Sequence, residues 1–216
     1  MTAISAARTN LVRRGVLLEY VTVGWNIIEG IVSMVAALAS GSVALLGFGL
    51  DSFVESGSAT VLIWRLRGER DGMDDEHIER LEQRAQRLVA VSLFGLATFV
   101  AIRAVVALAN QERPQPSVLG IAITALSIGV MWRLAAAKRR TAVALGSRAM
   151  EADAFQTTAC WWLSVVTLAG IALSAAFGLW WADPVAALGM TCFLVKEGRE
   201  SWMGDDCCEV PLPSAS

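Results

Sequence analysis

The stretch LLGFGLDSFVES, residues 45–56, carries two acids, Asp51 and Glu55, four residues apart in a run that is otherwise apolar or small. Residues at i and i+4 lie on one face of a helix, so the two carboxyls point the same way. If the run spans a membrane, each charged side chain near the bilayer centre costs about 2.5–3.5 kcal/mol or more. Such residues mark ion or proton pathways. The reading of this stretch therefore depends on whether the chain around it is a membrane bundle.

It reads as one. Of the 216 residues, 55% are hydrophobic and only 18% are charged, against roughly 25% charged in soluble domains. The mean hydropathy is +0.54. Apolar runs approach the roughly 20 residues needed to cross the hydrocarbon core near 16–38, 42–64, 88–110, 116–137, 144–178 and 183–203. The connections are ASGS, the charged stretch RLRGERDGMDDEHIERLEQRAQR, NQERPQPS, AKRRT and LWWAD. The expected fold is an all-α polytopic membrane protein of six transmembrane helices over residues 1–203, followed by a short tail, 204–216. MTAISAARTNLVRRG lacks the apolar region and cleavage site of a signal peptide, so the first span is expected to be retained.

Charge gives a direction. Sixteen of the 18 Lys and Arg residues flank the start of span 1, the span 2–3 and span 4–5 connections and the end of span 6. Only Arg113 lies on the opposite side, and Arg103 lies within span 3. The positive-inside rule places both termini in the cytoplasm and Trp180 and Trp181 at the outer interface. The formal net charge of −2 argues neither for nor against nucleic acid, and the membrane reading assigns no such partner. The cysteines, Cys160, Cys192, Cys207 and Cys208, form no disulfide framework and read as reduced thiols.

Shifting the sequence by 105 residues lays span 2 over span 5, so that Gly41-Ser42 meets Gly146-Ser147, Asp51 meets Gln156 and Glu55 meets Cys160. The two spans run in opposite directions, as in the inverted repeats of secondary transporters, whose sites lie near the midplane at the repeat interface. As antiparallel neighbours they bring Asp51 toward Cys160 and Glu55 toward Gln156. Small residues at 47, 49, 152 and 154 are expected to let the two backbones approach. Two carboxylates, an amide and a thiol are four donors, as many as a tetrahedral divalent cation such as zinc accepts. Adjacent acids repel when both are ionised, which points to exchange of metal against protons.

GSVALLGFGLDSFVESGSA, residues 41–59, followed by SRAMEADAFQTTACWWLS, residues 147–164, resembles the paired signatures of the cation diffusion facilitator family. That resemblance implies a six-helix, cation-efflux-type bundle, commonly a proton-coupled homodimer exporting divalent metal. In the family, span 2 carries an acid or His followed four residues later by Asp, positions matched by Asp51 and Glu55. Span 5 usually carries His-x-x-x-Asp, where this chain has Gln156 and Cys160, one carboxylate and one imidazole fewer. Thirteen residues follow Met203, so the likeness is to a transmembrane-only branch similar to small vesicular zinc transporters. Zinc is what the resemblance implies; a thiol suits it, and an amide is a poor ligand for it.

Other polar residues have blander readings. Asn26 and Glu29, in VGWNIIEG, could supply an outer ligand or a proton route. Glu19 is expected near the inner interface, and Glu151 and Asp153 at a solvated helix end. The only histidine, His77, sits in RDGMDDEHIERLEQRAQR, which reads first as a solvated amphipathic helix and second as a secondary metal site. In GDDCCEV the adjacent Cys207 and Cys208 lack the spacing of structural zinc sites. There is no H-E-x-x-H, G-x-S-x-G or phosphate-binding glycine loop, so an enzyme is not expected, nor a prosthetic group.

The sequence thus points to a divalent cation transporter, zinc favoured, working by proton antiport through Asp51, Glu55, Gln156 and Cys160. Its expected partners are the bilayer, the cation, protons and a second copy. Its expected location is a bacterial inner membrane, or a vesicle membrane if the source is eukaryotic. Two alternatives stand: transport of manganese, iron, cobalt or protons alone, and a non-transporting scaffold or sensor whose buried acids bind Arg103.

Overall fold

A computed structural model describes residues 2–71 and 75–203, and these form six α-helices. They are α1 (Thr2–Ser40), α2 (Val43–Asp71), α3 (Asp75–Ala109), α4 (Val118–Leu145), α5 (Arg148–Phe177) and α6 (Ala182–Met203). At 1.5 Å per residue, the 39 residues of α1 extend about 58 Å, well beyond a hydrocarbon core of roughly 30 Å. Thr9–Ser40, Arg87–Ala109, Val118–Leu145 and Ala149–Phe177 are each long and apolar enough to cross a membrane. The other two helices, α2 and α6, carry Asp51, Glu55, Asp183 and Glu197, acids that a lone lipid-facing helix could not bury without cost.

Two boundaries differ from the sequence expectation. The AKRRT segment is no connection: α4 continues through it to Leu145, and the chain turns at Gly146, whose φ of 63° is the left-handed C-cap conformation glycine favours. Ser147 then caps α5 by accepting a hydrogen bond from the Met150 N–H. The charged stretch after span 2 is also largely helical, extending α2 to Asp71 and starting α3 at Asp75.

α1, α2, α5 and α4, in that order, close a ring in which each touches the next, and α3 and α6 pair against α2 and α5. Short connections make sequential helices antiparallel. At one end of the bundle, the α1–α2 turn, the NQERPQPS loop and the start of α6 meet. Gln115 donates its N–H to the Ser40 carbonyl at 2.7 Å. Asp183, in the first turn of α6, accepts from the Ser42 hydroxyl and from the Val43 N–H at 2.8 Å. A carboxylate there meets the unsatisfied donors and positive dipole end of α2. The same contact makes α2 and α6 parallel neighbours with a fixed register.

The glycines are used differently from the expectation. A Cβ on Gly49 would lie 3.2 Å from the Gly30 carbonyl oxygen, and one on Gly47 would lie 3.1 Å from Val100. These small residues let α1 and α3 approach α2, and α5 takes its close approach elsewhere, at Gly170 against Ala186 of α6. Ala154 is buried and Ala152 faces outward. Helix phase explains Gly49, which is turned nearly opposite to Asp51 and so faces α1, while Gly47, one turn from Asp51, is covered by Val100 of α3.

Apolar clusters fill both ends of the ring: Val12, Leu62, Leu66, Leu145 and Met150 at one, Ala36, Leu45 and Ile171 at the other. Between them a charged tie joins three helices. Lys138 of α4 is fully buried and donates to Glu19 of α1 at 2.9 Å, Asp153 of α5 at 2.6 Å and the Thr157 hydroxyl at 3.1 Å. The expectation of Asp153 at a solvated helix end is corrected here, since its carboxyl turns inward to the ammonium, as that of Glu19 does. Glu151 does face outward.

Two consequences are measurable as resistance to denaturation in bicelles. Lys138→Met strands two buried carboxyls and should cost about 3–5 kcal/mol, as for other buried pairs broken on one side. Adding Glu19→Gln and Asp153→Asn should recover most of that loss. A Gly30→Ala side chain would sit 2.9 Å from the Phe53 ring and should destabilise by about 1–3 kcal/mol. Gly24→Ala, with nothing within 4 Å of its Cβ, should be neutral or stabilising.

Candidate cation site

Seven buried acids lie inside the bundle among the described residues: Glu19, Glu29, Asp51, Glu55, Asp153, Asp183 and Glu197. Lys138 is the only buried cation among them. The acids divide by how their oxygens are satisfied. Glu19 and Asp153 share the ammonium, and Asp183 caps α2. Glu29 is solvated by protein: Trp25 Nε1–H donates to it at 2.5 Å, Ser52 at 2.9 Å and Ser127 at 2.5 Å. Three donors on α1, α2 and α4 make Glu29 a structural acceptor as it stands, one turn from Asn26.

The remaining three, Asp51, Glu55 and Glu197, face a shortage of donors. Cys160 Sγ lies 3.5 Å from Asp51 Oδ2 and donates to it, the contact expected from antiparallel packing of α2 and α5. Gln156 Nε2 donates to the Ser58 hydroxyl at 3.5 Å. This second contact, seven residues on along α2 and four back along α5, confirms that the helices run antiparallel. Both oxygens of Glu55, both of Glu197 and the whole Asn26 amide are buried without a hydrogen bond. Asn26 and Cys160 face Glu55, and Gln156 faces Glu197, but none of these pairs has normal hydrogen-bond geometry.

Asp51 and Cys160 are thus brought together, Glu55 is beside them, and Gln156 is held by Ser58 at the next level. Among the described residues, no three His, Cys, Asp or Glu side chains stand close enough to enclose a metal ion. The arrangement gathers acceptors at one level of the bundle without closing them into a shell. Cys160 has an apolar backing of Met131 and Leu134, with Trp25 and Trp161 against them. Orphaned buried acceptors are rare in folded proteins because each carries the full cost of desolvation. Protons, water or a cation satisfy them, and carboxylates backed by a thiol suit a divalent cation.

The proposed counter-ion of the scaffold alternative is elsewhere. Arg103 makes a 3.6 Å ion pair with Glu112, both about 40% exposed, at the end of α3. Lys138, inside the bundle and within electrostatic reach of Glu55, is the cation that sequence reading missed. Glu197 was missed as well. Each sits in a charged run, AKRRT or KEGRE, but each continues a buried stripe, Leu134–Lys138–Thr141 and Met190–Leu194–Glu197. That helical phase was the available signal. Cys207 and Cys208 lie outside the described residues, as does the His77 side chain.

Comparison with known proteins agrees with this architecture. A Synechocystis sp. protein named uncharacterized transporter sll1263 is 33% identical over 158 residues, 70% of this chain and 50% of that protein. The chain therefore spans about half the length of the curated relative it matches. The family model described as the cation efflux transmembrane domain matches residues 20–202, from within α1 to the end of α6. With that match over most of its length, the chain belongs to the cation efflux family of membrane proteins.

Proposed function

We propose that this chain moves a divalent cation out of the cytoplasm, zinc before others, in exchange for protons. The observation that carries the reading is Glu55: a carboxylate inside a membrane bundle, both oxygens buried and without a hydrogen bond, one turn from Asp51. A cation bound between them offsets the repulsion of two ionised acids, and protons do so when the cation leaves. Asp51 and Glu55 are the cation ligands and proton carriers, Cys160 a thiol ligand, and Gln156 a weaker ligand or gate. Long Glu and Gln side chains can close on an ion by rotamer change, so the open arrangement is compatible with reversible binding.

The basic helix ends support an orientation with both termini in the cytoplasm. Family membership supports a homodimer in a plasma or vesicle membrane. Manganese, iron or cobalt is the second reading, favoured by the oxygen-rich donor set, since carboxylates and amides suit harder cations than thiols do. The scaffold reading loses its basis with Arg103 paired to Glu112.

Reconstituted into liposomes with an imposed pH gradient and a zinc-sensitive dye inside, the protein should accumulate zinc. Asp51→Ala should lower the rate at least tenfold. Equal rates in both would remove Asp51 from the pathway. The same assay run with manganese, iron and cobalt ranks the cations.

A further inference from the structure

α6 has an acid with no role so far. Glu197 is 9% exposed, and neither of its carboxylate oxygens has a hydrogen bond. Its neighbours in sequence do not neutralise it: Lys196 points outward and pairs with Glu200 at 3.8 Å. The adjoining Gly198 is packed against Phe94 of α3, where a Cβ would lie 3.1 Å from the ring, so this turn of α6 is fixed in the bundle.

Register places it. α2 and α6 are parallel and joined at their starts by the Asp183–Val43 hydrogen bond. Met190 keeps the two helices in contact further in, where its methyl would be 3.7 Å from a Cβ on Gly47, a pairing that sets α6 back by three residues and brings Glu197 opposite Val54, beside Glu55. Glu197 lies fourteen residues beyond Asp183, and the same advance from Val43 along α2 ends at Gly57, between Glu55 and Ser58. Asp183, Ala187, Met190, Leu194 and Glu197 are all buried, a continuous stripe turned toward the bundle interior. From the other side, Gln156 of antiparallel α5 meets Ser58 at this level and faces Glu197. Two carboxylates without a hydrogen bond, Glu55 of α2 and Glu197 of α6, therefore lie within about a helical turn of each other, one level beyond Asp51.

We infer that Glu197 is a third carboxylate ligand of the cation, so that the site draws on α6 as well as α2 and α5. The inference rests on the reading that a divalent cation binds at Asp51 and Glu55. It makes the donor set mainly oxygen, with Cys160 the one soft donor. Buried and unpaired, a carboxylate is a burden to the apo bundle, and removing its charge should relieve that burden while weakening the site.

Calorimetric titration of the full chain in lipid nanodiscs with zinc chloride and with manganese chloride tests this, alongside thermal unfolding without metal. Glu197→Gln should weaken binding at least tenfold, more for manganese than zinc, with an unfolding temperature equal to or above wild type. Should Glu197→Gln fail to fold, Glu197→Asp takes its place, keeping the charge on a shorter stem, and should bind several-fold more weakly. Affinity within twofold of wild type in whichever variant folds overturns the inference, and if Asp51→Asn abolishes binding, the reading of the α2 site survives. Weaker binding with an equal loss of thermal stability assigns Glu197 to packing and also overturns it. Wild-type protein that binds neither ion overturns both.

Discussion

The structure depends on the cost of carboxylates in a low-dielectric interior. Seven acids are buried against one lysine among the described residues, and each must find charge, donors or protons within the bundle. That constraint sorts them. Those given partners by the fold become structural: Asp183 at the start of α2, Glu29 among Trp25, Ser52 and Ser127, and Glu19 with Asp153 on Lys138. Those left short of donors, Glu55 and Glu197 with none and Asp51 with the Cys160 thiol alone, make up the candidate site. Partition of donors, more than the presence of acids, separates the structural acids from the candidate site.

The two structural ties hold opposite parts of the ring. The Asp183 cap fixes α2 against α6 where the α1–α2 turn and the NQERPQPS loop meet, and the Lys138 cluster fixes α1, α4 and α5 together. Between them, the Gly30–Gly49 crossing leaves α1 and α2 in backbone contact. α2, touched by α1, α3, α5 and α6, is thereby the shielded helix. This is why it can carry Asp51 and Glu55 and fall outside the spans that are apolar enough to cross on composition alone. Membrane insertion of such a helix is supported by its neighbours, since van der Waals contact and polar pairing take over from lipid solvation.

Much of this was legible in the sequence. Hydropathy gave six helices, and the i,i+4 spacing of the acids with the 105-residue shift predicted the antiparallel contact of Asp51 with Cys160 that the structure contains. What failed did so for identifiable reasons. AKRRT reads as a cytoplasmic turn because basic runs are usually solvated, yet Ala, Lys and Arg are good helix formers, and the turn waits for Gly146. Small residues announce a close approach without saying to which neighbour, so Gly47 and Gly49 were matched to α5 when α3 and α1 claim them. Glu197 hid in a charged helix end, where only the helical phase it shares with Met190 and Leu194 marks it as buried.

On the proposed function, a cation is held where Asp51 and Glu55 face α5. The most direct test is an experimental structure of zinc-loaded protein with anomalous scattering recorded on either side of the zinc edge. Bound zinc should give a difference peak between α2 and α5, bounded by the Asp51 and Glu55 carboxylates, with the Glu55 side chain turned toward it. A peak elsewhere in the molecule, or none at saturating zinc with Glu55 still unpaired, would contradict it.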